Sequence, residues 1–186
     1  MRVETDSGVK HLALTLRAGR VVEVTVDMGE PILDGAAIPV AASGPVVDAP
    51  LDVDGVTWRV TCVSMGNPHC VVFTPDVESL DLERLGPPFE QHPFFPARVN
   101  TEFVRVDTPT LLRMRVWERG SGETAACGTG ACAALVAAVL TGHAERRATL
   151  RLNGGDLAIE WREGDGHVVM TGAAEEVFRG EIEVDA

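Results

Sequence analysis

The stretch that most constrains this chain is Gly128 to Leu140, where Ala131, Cys132, Ala133, Ala134, Leu135, Val136, Ala137, Ala138 and Val139 follow one another without a charge. Read as a helix, it is apolar or small on nearly every face, so it is enclosed rather than lying on a surface. Its alanines let neighbouring backbone approach closely, and Gly142 ends it. The run is too short to span a bilayer. Protein must enclose it.

Strands are the material available for that. Arg2 to Thr5, Val9 to Leu16 and Arg20 to Val26 alternate apolar and polar residues, with Asp6-Ser7-Gly8 and Ala18-Gly19 as turns. Asp27 to Pro31 breaks the pattern, and Ile32 to Pro50 reads as an extended linker with short strand pieces. Val56 to Val63, Val71 to Phe73, Val99 to Val104 and Leu111 to Trp117 read as further strands. So do Ala148 to Leu152, Leu157 to Trp161, His167 to Thr171 and Val177 to Val184, with a hairpin turn at Asn153-Gly154-Gly155-Asp156. Helical spacing from Val77 to Leu85 predicts a short amphipathic helix, stopped by Gly86-Pro87-Pro88. Phe89 to Arg98 reads as a loop rich in proline and aromatics. The expected fold is α+β, a curved, barrel-like mixed sheet wrapped around one buried central helix.

Ahead of the buried run stands Glu118-Arg119-Gly120-Ser121-Gly122-Glu123-Thr124-Ala125-Ala126-Cys127. A glycine loop ending in a cysteine where a helix begins puts the sulfur near unpaired backbone N–H groups and the positive end of the helix dipole. Those conditions lower a thiol's pKa, so Cys127 is expected to favour the thiolate. The N–H groups of Gly128, Thr129 and Gly130 form a small anion cradle suited to a carboxylate. Cys132 points into the core and reads as inert. A second cluster is Gly66-Asn67-Pro68-His69-Cys70. Asn67 precedes a proline and is pushed toward extended backbone, where its amide can serve both ends of a zwitterion. Histidine is a ready proton carrier. Taken alone His69 reads as a packing residue, whereas in this cluster it reads as part of a site.

Composition excludes several functions. Across 186 residues the formal net charge is -12, which disfavours nucleic acid and anionic membrane surfaces as partners. Cys62, Cys70, Cys127 and Cys132 match neither a disulfide framework nor a paired zinc pattern, so no metal is expected. Lys10 is the only lysine, which sets pyridoxal-phosphate chemistry aside. With no signal peptide in view, the expected location is cytoplasmic.

On these motifs the chain resembles the diaminopimelate epimerases, cofactor-independent amino-acid epimerases of lysine and peptidoglycan biosynthesis. The residues that carry the resemblance are Met65 to Cys70, Arg98-Val99-Asn100, and Glu118 to Ala131 with its Glu-Arg-Gly-x-Gly-Glu-Thr approach to Cys127. Met28-Gly29-Glu30-Pro31 and the Gly154-Gly155 hairpin are similar too. Proline racemases share a Cys-Gly-Thr-Gly but usually lack that approach.

The resemblance implies inversion of one carbon between two cysteines, one from each of two similar lobes, with Cys127 as the second. It implies that Asn67, Asn100, Glu118 and Arg119 bind diaminopimelate together with the backbone at Gly128 and Thr129, and that Glu118 and His69 assist the thiols. Arg119 suits a bidentate carboxylate clamp, and Glu118 suits an ammonium. The first cysteine's Met-Cys-Gly-Asn-Gly motif is missing from the sequence. We therefore expect a C-terminal portion, with 28–172 as the epimerase lobe and 1–27 and 173–186 packing with an absent lobe or partner chain. A homodimer, a proline-type racemase and a noncatalytic binding half remain as alternatives.

Overall fold

The computed structural model describes residues 1–5 and 8–183. Along them run β1 (Arg2–Thr5), β2 (Gly8–Arg17), β3 (Arg20–Gly29), β4 (Ala49–Val53), β5 (Val56–Ser64) and β6 (Pro68–Phe73). Then come α1 (Leu82–Glu90), β7 (Asn100–Thr108), β8 (Leu111–Glu118), β9 (Gly122–Thr124) and α2 (Gly128–Leu140). The last three strands are β10 (Arg147–Leu152), β11 (Gly155–Trp161) and β12 (Val168–Ala173). They form one mixed sheet in the order β1-β2-β3-β12-β11-β10-β8-β7-β6-β5-β4, with β9 attached to β8. Only β6/β7 and β8/β10 are parallel pairs among these. The sheet does not close into a barrel: its path ends at β1 on one side and β4 on the other.

The strands near the middle of this path are covered on both faces. On one face lies α2, buried from Gly130 through Ala138 and packed against β5, β6, β7, β10, β11 and β12. Val63, Val71, Val104, Leu112, Met114 and Val116 meet it there. On the other face Cys62, Cys70, Val72, Phe103 and Trp117 join a second core with Phe89 of α1. Phe89 and Phe103 stand edge to face at 5.5 Å. Strand alternation thus sorts each strand's side chains between two cores.

Two expectations need correction. The first helix begins later, at Leu82, where the Asp81 side chain caps Arg84 N at 3.3 Å, and it continues through Gly86-Pro87-Pro88. Proline's fixed φ is itself helical, but each removes a donor and crowds the carbonyl one turn back, a cost that must be offset. Packing supplies the offset: Phe89 is fully buried, and a Cβ on Gly86 would fall 2.0 Å from Trp117 Cδ2. Tertiary contact outweighs propensity here. The predicted strand from Val177 does not form. Residues 174–183 have no regular structure, and Val177, Phe178 and Ile182 are 89%, 84% and 87% exposed. The last tie to the sheet is Ala174 N to Val22 O at 3.1 Å, and apolar alternation without a paired neighbour does not make a strand. Val184 and the predicted Asp6-Ser7 turn lie outside the described residues.

The expected linker is more ordered than its composition suggests. Ile38, Val40 and Val46 are buried in the second core, and β4 pairs with β5 across an Asp54-Gly55 turn with φ of 49° and 78°. Gly86→Ala tests the α1 packing. Alanine is the better helix former, yet the clash with Trp117 should destabilise the fold by about 2–3 kcal/mol, read as a lower denaturant midpoint. An unchanged or higher midpoint would mean the indole gives way freely.

Candidate active site

Three loops meet at the N-terminus of α2. One is Met65-Gly66-Asn67 between β5 and β6, where Gly66 takes a φ of +102° that side chains rarely adopt. The second is the β8–β9 turn, Arg119 to Ser121. The third is Ala125 to Cys127. Two buried side chains fasten them. Asn100, the first residue of β7, donates from Nδ2 to Pro68 O at 2.8 Å and accepts from Arg119 N at 2.9 Å. Glu90, the last residue of α1, accepts from Trp117 Nε1 at 2.7 Å, Gly120 N at 3.0 Å and Arg98 Nη1 at 3.1 Å.

Cys127 caps α2. Its Sγ accepts from Gly130 N at 3.4 Å and lies 3.5 Å from Thr129 Oγ1. These contacts match the expected position, but the expected ionisation is reversed. The thiol is only 6% exposed, and it is pushed up to about 12. Burial is the largest cause and the Glu102 carboxylate the next, while the bonds from Thr129 and Gly130 pull the other way and Glu118 adds repulsion. Helix-terminus donors do not overcome desolvation flanked by carboxylates. Burial likewise pushes the Cys132 thiol up to about 12.

The cradle is narrower than expected. Gly130 N is used by the sulfur, and a Cβ on Gly130 would stand 2.6 Å from Glu102 Oε1. That leaves the N–H groups of Gly128 and Thr129, which have no acceptor inside the helix. Gly128 lies against β12, where a Cβ would come 3.1 Å from Met170 Sδ.

A continuous polar series approaches the thiol from β7. Glu102 Oε1 meets His69 Nδ1 at 2.7 Å, and His69 Nε2 meets Asn67 Oδ1 at 3.0 Å. Asn67 Nδ2 donates to Thr129 Oγ1 at 3.3 Å, and Thr129 adjoins Cys127. The structure thus joins Asn67, His69, Thr129 and Cys127 directly. Glu118, half-buried, accepts from Thr124 Oγ1. The Arg119 side chain is exposed and donates to Ala97 O at 2.9 Å. Glu102 was not among the expected site residues. The signal was present in the spacing: it follows Asn100 by two in the same strand, so it shares that residue's face.

The model of the family described as diaminopimelate epimerase matches residues 61–177. The diaminopimelate epimerase of Moorella thermoacetica is 55% identical over 186 residues, covering 100% of this chain and 67% of that protein. That of Acetivibrio thermocellus is 54% identical, covering 100% and 66%. The chain belongs to the diaminopimelate epimerase family. It matches the C-terminal part of these relatives and spans about two thirds of their length. Among solved structures, a probable proline racemase from Agrobacterium radiobacter K84 superposes with a TM-score of 0.69 at 17% identity, covering 99% of this chain and 60% of that one. A hydroxyproline epimerase from Agrobacterium vitis, with bound trans-4-hydroxy-L-proline, gives 0.66 at 19% identity, covering 92% and 55%. Those two likenesses establish the fold alone.

The raised thiol makes a direct prediction. Without ligand, alkylation of Cys127 by iodoacetamide should rise about tenfold for each pH unit through the neutral and mildly alkaline range, without levelling. A plateau near neutrality would show that the helix terminus wins over burial.

Proposed function

We propose that this chain supplies one face of a diaminopimelate epimerase site, in which Cys127 Sγ removes or returns the α-proton. The observation that carries the reading is the placement of Cys127 at the cap of α2, with free backbone donors beside it and the Asn67–His69 pair behind it. In this scheme the Gly128 and Thr129 N–H groups hold the α-carboxylate and stabilise the charge that develops when the Cα–H bond breaks. Asn67, Asn100, Glu118 and Arg119 engage the amino-acid ends, and Glu118 and His69 assist proton movement. No cofactor takes part.

Inversion needs a second proton donor on the opposite face of the carbon. Cys62 and Cys70 sit in the second core, and Cys132 is sealed inside α2, so none of them serves. The second thiol comes from a further lobe, in the same polypeptide or in a different partner chain. Residues 1–27 and 173–186 pack with that lobe, and 28–172 form the epimerase lobe, its curved sheet wrapped about α2. Exposure of Val9, Leu16, Val177, Phe178 and Ile182 at those two segments supports the division. The pathway is lysine biosynthesis in the cytoplasm. Identity of 55% to diaminopimelate epimerases, against 17% to the proline racemase, favours diaminopimelate over a proline-type substrate.

The test is solvent-deuterium incorporation with chiral analysis of LL- and meso-diaminopimelate. The chain alone should turn over negligibly. Supplied with a family N-terminal lobe, it should incorporate deuterium at the α-carbon, and Cys127→Ala should lower that rate by roughly a thousandfold. Rapid inversion by the chain alone, abolished in Cys127→Ala, would refute the need for a second lobe. Turnover of proline instead would reassign the substrate, and ligand binding without exchange would leave a noncatalytic half.

A further inference from the structure

Glu102 and Glu90 are the buried carboxylates among the described residues. Three donors account for Glu90. Glu102 is enclosed entirely, with Oε1 on His69 and Oε2 without a hydrogen-bond partner. A carboxylate sealed from water is strongly unfavourable unless a charge faces it. His69, also fully buried, is the group that faces it.

The donor pattern shows what that pairing does. Against the Glu102 carboxylate, His69 Nδ1 must donate. Nε2 faces a second acceptor, Asn67 Oδ1, so it must donate as well. A ring donating from both nitrogens is an imidazolium, paired with Glu102. Asn67 then turns Nδ2 to Thr129 Oγ1, and the Thr129 hydroxyl, accepting there, is left to donate toward Cys127 Sγ. From His69 Nε2 onward, each donor in the series points toward the sulfur. Were Nε2 bare, Asn67 would offer it Nδ2, Thr129 would donate to Oδ1, and Sγ would lose its hydroxyl donor.

We propose that Glu102 is a positioning residue which, by holding His69 doubly protonated, aims the Asn67–Thr129 series at Cys127 and favours its thiolate. The inference rests on the reading of Cys127 as the acid/base group. As a bare charge Glu102 repels the thiolate, the sense in which it helps push Cys127 up; the His69 cation against it offsets that repulsion. Paired with His69 it presents little net charge, and its influence passes through the direction of the donors. The other titratable groups facing this series are Cys70 on β6, Cys132 on α2 and Glu118 on β8. None of these supplies a positive charge.

The sign of one measurement separates the two roles. With nitrogen-15-labelled histidine, both ring nitrogens of His69 should read as protonated near neutral pH. In Glu102→Gln one should become bare, and Cys127 alkylation at fixed pH should slow about tenfold, a shift of one pKa unit. Thr129→Val should slow alkylation similarly while leaving the His69 nitrogens protonated. Glu102→Asp should restore the imidazolium signature. Faster alkylation in Glu102→Gln would overturn the proposal, as would an unslowed Thr129→Val. A bare His69 nitrogen in the unaltered protein would also overturn it, and that result stands even if Glu102→Gln fails to fold. None of these readouts needs turnover, so loss of epimerase activity and failure of the relay are seen separately.

Discussion

Enclosure of α2 is the constraint on which the remaining architecture depends. A helix whose surface is mostly methyl groups has no side to turn to water, so strands pass close by it on both flanks of the sheet path. Its N-terminus is reached where three loops meet. The unpaired backbone donors, the capping thiol and the incoming side chains therefore coincide at that end of the helix.

Holding the loops there falls to side chains that make no bond to the thiol. Asn100 ties Pro68 to Arg119 with a single amide, and Glu90 binds the indole and the turn beneath it. Such supports fix the geometry of a site more firmly than the loops' own backbone does. Glycine is needed where they crowd together, most clearly at Gly130, where the space of a side chain is already filled by Glu102.

Much of this was legible in the residues alone. An unbroken run of small and apolar residues marked α2 to the residue, because such a run between a cap and a glycine has few other readings. The Gly-rich approach to Cys127 and the Asn67–His69 cluster were legible because core packing does not call for such residues. What escaped reading depends on distant partners. Pro87 and Pro88 looked like a helix stop until Trp117 and the buried Phe89 held that turn in place. Val177 to Ile182 looked like a strand, but alternation does not say whether a neighbour is present to pair with. The thiol's ionisation was misjudged because local sequence shows the helix terminus and hides the burial and the carboxylate across the sheet.

The two cores on either face of β7 have a bearing on how this chain can change. Asn100, Glu102 and Val104 face one side and Thr101 and Phe103 the other, so deleting or inserting a single residue in β7 would exchange the two sets. A phenylalanine would then enter beside His69, and a carboxylate would enter an aromatic cluster. Substitutions can drift one at a time through such a strand, but changes of length cannot. Descendants of this sequence should therefore vary in length only between strands, and an alignment gap inside residues 100–104 would mark a protein that has given up the site.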